Sequence, residues 1–247
     1  EEFGGVVPEV AARDHIRALK PLIYRALETA GLKMSEVDAF AATRGPGLAT
    51  SLMIGVSAAK GLAVVNGKPF LGINHLEGHL ISPFFGTTQG VKPALGLVVS
   101  GGHTMLVNVE EFGKYEVLGQ TLDDAAGEAF DKVGKMLGLP YPGGPHIDQL
   151  ATDGNPKAYD FPRSMLNSGD FNFSFSGLKT SVRYLLPKIS DPNVPDICAS
   201  FQEAVVDVLV EKTLEAAAAK GRRTLAISGG VSCNRRLREK FSEACEA

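Results

Sequence analysis

The chain has 247 residues, 44% hydrophobic and 21% charged, a composition that excludes a disordered or fibrous protein and allows one large domain or two lobes. Its formal net charge of −3 offers nucleic acid no overall attraction, so such a partner must be met by a local patch or through another protein. Three cysteines, Cys198, Cys233 and Cys245, are odd in number and lack metal-type spacing, which points to reduced thiols and a cytosolic protein; no apolar stretch reads as long and uninterrupted enough to span a bilayer.

Pro8 suits a first helical turn, and from Val10 to Ala30 apolar residues recur at helical spacing (Ile16, Leu19, Ile23, Leu27) as far as Gly31, with Pro21 placed to bend or split the helix. Val37 to Thr43 reads as a short strand. The turn Arg44-Gly45-Pro46-Gly47 then leads into a helix of small residues, Leu48 to Val65, and Pro69 to Ile73 is the next buried strand. A helical segment, His75 to Phe85, follows it. On a helix His75 and His79 share one face, the spacing of a two-histidine metal clamp, although two hydrogen-bonded histidines would be spaced alike. Glu77 points to the far side, whereas a zinc protease needs its Glu directly after the first His.

Beyond Ala94 the pattern becomes a hairpin, with strands Leu95–Val99 and Thr104–Val109 around Ser100-Gly101-Gly102-His103. Consecutive glycines leave backbone N–H groups able to cup an anion, yet any tight hairpin favours them too. Ala126 to Leu137 is a helix carrying Glu128, Asp131 and Lys132. The loop 140–145 and a short helical stretch with Asp148 come next, and solvated carboxylates are the plain reading of both aspartates. In 173–180 (Phe-Ser-Phe-Ser-Gly-Leu-Lys-Thr) aromatics alternate with small polar residues, and Ser176 is a candidate helix cap. Pro195 to Lys220 is a long amphipathic helix, Thr224 to Ser228 a buried strand, and Gly229-Gly230-Val231-Ser232-Cys233-Asn234 a turn into a helix whose Arg235, Arg236 and Arg238 read as a solvated face. Strand, glycine turn and helix N-terminus together make an anion cradle. Two lobes with a ligand cleft, divided near residue 100, are expected.

The motifs together, Gly4-Gly5-Val6-Val7-Pro8-Glu9, Arg44-Gly45-Pro46-Gly47, Asn74-His75-Leu76-Glu77-Gly78-His79, Val99-Ser100-Gly101-Gly102-His103-Thr104, 173–180 and Gly229-Gly230-Val231 with Asn234, resemble the TsaD family of tRNA threonylcarbamoyladenosine transferases, end to end and in order. The resemblance implies an α/β, two-lobed ATPase fold of the actin, hexokinase and heat-shock-chaperone type. It also implies transfer of a threonylcarbamoyl group from its adenylate to N6 of the adenosine 3′ of the anticodon, in tRNAs reading codons that begin with A. By the same resemblance His75 and His79 hold one divalent metal, iron or alternatively zinc. Val98, Val99, Ser100, Gly101, Gly102, Asp131, Gly144, Asp148 and Asn234 line the adenylate or adenine nucleotide. The partners implied are tRNA, threonylcarbamoyl-adenylate, a homologous non-catalytic subunit and a small ATPase, with no membrane and a cytoplasmic location. The family's first strand and phosphate-contacting turn are expected before Glu1, and an Asp metal ligand after Ala247. A non-catalytic scaffold subunit and a small-molecule kinase share this fold, but the scaffold is expected to lack the histidine pair and the kinase to need an acidic base instead.

Overall fold

The computed structural model describes residues 7–246, so Gly4, Gly5 and Val6 of the first motif lie outside it. The chain forms two compact units, one ending at Gly78 and one beginning at His79. In the first, helix α1 (Pro8–Ala30) runs through Pro21 without a break and stops where Gly31 takes a left-handed conformation, φ 66°. Strands β1 (Phe40–Gly45) and β2 (Phe70–Asn74) pair in parallel, joined through helix α2 (Ala49–Asn66). A small cluster of Phe40, Ala59 and Ala63, flanked by Met34, Val37, Leu62 and Phe70, closes this unit. Contrary to the sequence expectation, α2 is long and apolar enough, by length and composition, to cross a membrane. It carries two serines and Lys60, and it packs on β1 and α1.

Helix α3 (His75–Ile81) is continued by a 3-10 turn, Ser82–Phe84. A four-stranded sheet follows, in the order β5-β4-β3-β6. Strands β3 (Ala94–Val99) and β4 (Thr104–Glu111) form the expected antiparallel hairpin, β5 (Lys114–Gln120) pairs antiparallel with β4, and β6 (Leu225–Ser228) runs parallel to β3. All six residues of β3 are buried, as an unbroken apolar run on a central strand should be. Its hydrogen bonding to β4 and β6 places 94–99 with the later residues, so the division falls well before the expected residue 100. Helix α7 (Val194–Ala219) crosses the core and starts at Asn193, whose side chain accepts the Asp196 N–H. Phe201 on α7 meets Phe130 of helix α4 (Ala126–Met136) edge to face, centroids 5.2 Å apart. Burying each ring contributes roughly 1.5–3 kcal/mol. Helices α5 (Gly143–Leu150), α6 (Ser176–Leu185) and α8 (Arg235–Glu246) complete the unit.

Candidate functional site

A cavity of about 410 Å³ opens among the Ser100–His103 turn, α4, the loop into α5, and the turn before α8. Gly101, Gly127, Asp131, Gly144, Asp148, Gly230 and Asn234 all line it. Of the residues named from sequence, Gly101, Asp131, Gly144, Asp148 and Asn234 are thereby brought together. Val98, Val99, Ser100 and Gly102 are not among the lining residues, and the Val98 and Val99 side chains are wholly buried in the sheet.

Asp131, Asp148 and Asn234, all on the wall, share one structural task. Asp131 accepts the N–H of Gly143 at 2.8 Å, where α5 begins. Asp148 receives the Arg235 N–H on both oxygens at 3.3 Å. Asn234 accepts the Leu237 N–H at 2.9 Å through its Oδ1, the bond of a helix N-cap. Each therefore satisfies a donor that a helix start leaves orphaned, and the cavity is ringed by helix N-termini with their partial positive charge. The Asp131 carboxylate keeps its second oxygen, and a carboxylate oxygen is a good acceptor for a ribose hydroxyl.

Glycines let these elements approach. A Cβ at Gly127 would lie 2.6 Å from the Ser100 carbonyl oxygen, to which the Gly127 N–H donates at 3.2 Å. Gly134 and Gly143 bring α4 and α5 together, since a Cβ on Gly134 would lie 2.8 Å from the Gly143 Cα. Sequence reasoning missed Gly127. The one available signal was its place in the first turn of a helix directly after the hairpin, where a glycine has no propensity to recommend it.

The 173–180 segment owes its pattern to an aspartate it does not contain. Ser174 and Ser176 hydroxyls each donate to Asp123 Oδ2 at 2.6 Å, while the Phe175 and Ser176 N–H groups donate to Oδ1 at 2.9 and 3.2 Å. Ser176 is thus the first residue of α6 and not its cap; Asp123 does that work from 53 positions away. Phe173 and Phe175 point into the core, stacked with centroids 6.1 Å apart. Beside them Asp124 binds Lys132 at 2.7 Å and Lys179 at 2.8 Å. Burial pushes the Asp124 carboxyl up, and the two ammonium groups outweigh it, holding the group below its ordinary value. The expected solvated face of α8 holds for Arg235 and Arg238, which are exposed, but not for Arg236, which forks onto both oxygens of Glu203, at 2.7 and 3.1 Å. Burial pushes the Cys198 thiol up to about 12, which leaves it inert.

His75 and His79 lie one turn apart on α3, whose start is fixed by Asn74 Oδ1 accepting the N–H groups of Leu76 (2.9 Å) and Glu77 (3.4 Å). Imidazole pairs at this spacing suit iron or zinc, so the donor set fits the implied metal as two of its ligands. Among the described residues no group of three His, Cys, Asp or Glu side chains could hold one by itself.

A mixed sheet flanked by helices, with a glycine-walled cavity at the ends of β3 and β6, defines a protein of the actin and hexokinase type of ATPase fold. The crystal structure of T. kodakarensis HypF shows that fold at a TM-score of 0.62, with 14% identity over 86% of this chain and 38% of that one. The family described as tRNA N6-adenosine threonylcarbamoyltransferase, TsaD, matches residues 1–247. Proteins of that name from Variovorax paradoxus and Thermotoga neapolitana are 50% and 52% identical, over 99% and 98% of this chain and 70% and 73% of their own. The chain belongs to this family, and it is a transferase that modifies tRNA.

Proposed function

We propose that threonylcarbamoyl-adenylate occupies the cavity between α4, α5 and α8, and that its threonylcarbamoyl group passes to N6 of the adenosine 3′ of the anticodon in tRNAs reading codons that begin with A. The observation that carries this is the wall itself. A space of about 410 Å³ suits a nucleotide, and its rim combines helix N-termini for a phosphate with carboxylates for ribose hydroxyls. In the transfer N6 bonds to the carbamoyl carbon, the bond from that carbon to the phosphate oxygen breaks, AMP leaves with the electron pair, and the surplus N6 proton goes to solvent. The exocyclic amine of adenine is a weak nucleophile, so catalysis rests on holding the donor and stabilising the departing phosphate. Gly101 and Gly230 admit that phosphate to backbone N–H donors; Asp131 and Asp148 orient the ribose. His75 and His79 are the residues that would hold a divalent iron or zinc ion, which when bound supplies Lewis-acid polarisation of the threonylcarbamoyl end.

A homologous non-catalytic subunit and a small ATPase are proposed partners. Support for a protein partner comes from α1 and α2, where Ile16, Tyr24, Met53, Val64 and Val65 are exposed, the last two at 81% and 84%. The cytoplasm, where tRNA is found, is the proposed location, with no membrane partner. The test is nucleoside mass spectrometry of tRNA incubated with the enzyme, its partners and threonylcarbamoyl-adenylate. Wild type yields N6-threonylcarbamoyladenosine, and Asp148→Ala and Gly144→Val lose at least tenfold. Undiminished yield from both would overturn the placement. His79→Ala should lower bound metal by elemental analysis, and unchanged metal content would remove the histidines from the proposal.

A further inference from the structure

Gln202 lies on α7, is 4% exposed and is not among the residues lining the cavity. Its Oε1 accepts a hydrogen bond from Asn234 Nδ2 at 2.7 Å. Asn234 does line the cavity and is itself 8% exposed. A single backbone donor decides the direction of this whole chain of bonds. The Leu237 N–H can only donate, so Asn234 must turn its Oδ1 toward it at 2.9 Å; the Asn234 NH₂ then faces Gln202, and Gln202 must present its oxygen. One N–H of that NH₂ is held by Gln202. The other is the only side-chain donor that Asn234 has left for a ligand.

We propose that Gln202 is a positioning residue for the transfer reaction: it fixes the Asn234 amide so that its remaining N–H is presented to the adenylate. The inference rests on the adenylate occupying this cavity. Without an acceptor at 202, the Asn234 amide keeps its bond to Leu237 but can twist about its terminal torsion, which is broad and soft for an asparagine. A ligand must then order the amide on binding and loses affinity for it. The bond needs only an acceptor oxygen, so a glutamate at 202 serves in either protonation state, whereas a methionine of similar length does not.

The experiment is calorimetric titration of AMP, the nucleotide product, into the full chain with its partners, for wild type, Gln202→Met, Gln202→Glu, Asn234→Ala and the Gln202→Met/Asn234→Ala double variant. The expected result is a roughly tenfold weaker Kd for Gln202→Met and Asn234→Ala, recovery to within about twofold for Gln202→Glu, and a double variant no weaker than Asn234→Ala alone. Affinity in Gln202→Met equal to wild type, with Asn234→Ala weakened, overturns the role of Gln202 and leaves the site standing. Asn234→Ala and wild type binding AMP equally, or neither binding it, instead removes the site. A measurement on wild type alone covers a misfolded variant: of the two Asn234 side-chain amide protons, one should exchange slowly and the other shift in NMR spectra when AMP is added. Two protons with equal exchange and no AMP-induced shift contradict the proposal.

Discussion

The two glycine turns beside the cavity look alike in sequence and differ in what they require. At Ser100–His103 the closing bonds run between the end residues, with the Ser100 N–H donating to the His103 carbonyl at 2.8 Å. A Cβ added to Gly101 or Gly102 would meet nothing within 4 Å. At Gly229 the backbone has φ 97°, and a Cβ would overlap the carbonyl oxygen of Val99. The first turn is open and has room for a ligand; the second is closed at Gly229 by the strand beside it and open only at Gly230, where a Cβ would meet nothing within 4 Å. A Gly-Gly pair therefore signals close approach without saying whether a ligand or the protein's own backbone makes that approach.

Substitution at these positions breaks or sharpens the contrast. Gly229→Ala should have the largest effect, about 4 kcal/mol of lost stability by chemical denaturation, because backbone strain adds to a steric overlap; a loss below about 1 kcal/mol would mean that the turn relaxes freely. Gly127→Ala comes next, at about 2 kcal/mol. Its Cβ would push on Ser100, so AMP affinity should fall with stability, and a fall in stability alone would detach the open turn from nucleotide binding. Asp123→Ala should cost about 1–2 kcal/mol through lost capping of α6. Partial burial pushes the Asp123 carboxyl up, but hydrogen bonds from Ser174, Ser176 and the Phe175 and Ser176 N–H groups outweigh it and hold it below its ordinary 3.8. A group depressed on folding stabilises fully above its unfolded value and loses that effect as pH falls through the folded one. The gap between wild type and Asp123→Ala should therefore narrow below about pH 4, as denaturation at several pH values will show. Gly101→Ala should have the smallest effect on stability, within about 0.5 kcal/mol, while still weakening AMP binding; a large destabilisation would make the open turn as constrained as the closed one.

Local patterns were legible in the sequence: the β3–β4 hairpin from its apolar runs, α7 from its periodicity, and the histidine pair from its spacing. Strand β5 was not, because Lys114, Glu116 and Gln120 give an edge strand the composition of a loop. The closeness of Asp131, Gly144, Asp148 and Asn234 was implied only by resemblance, since no local rule ties residue 131 to residue 143 or 148 to 235. Asp123, Gly127 and Gln202 escaped for the same reason. Each acts through a contact with a segment distant in sequence, and neither propensity nor periodicity reports on such contacts.

The central claim is that the cavity in the later unit holds the adenylate, and hydrogen exchange by mass spectrometry with and without AMP tests it most directly. Slowed exchange confined to the Ser100–His103 turn, the start of α5 and residues 229–235, with β5 unchanged, is the predicted result. Protection elsewhere with none in these three segments would contradict it.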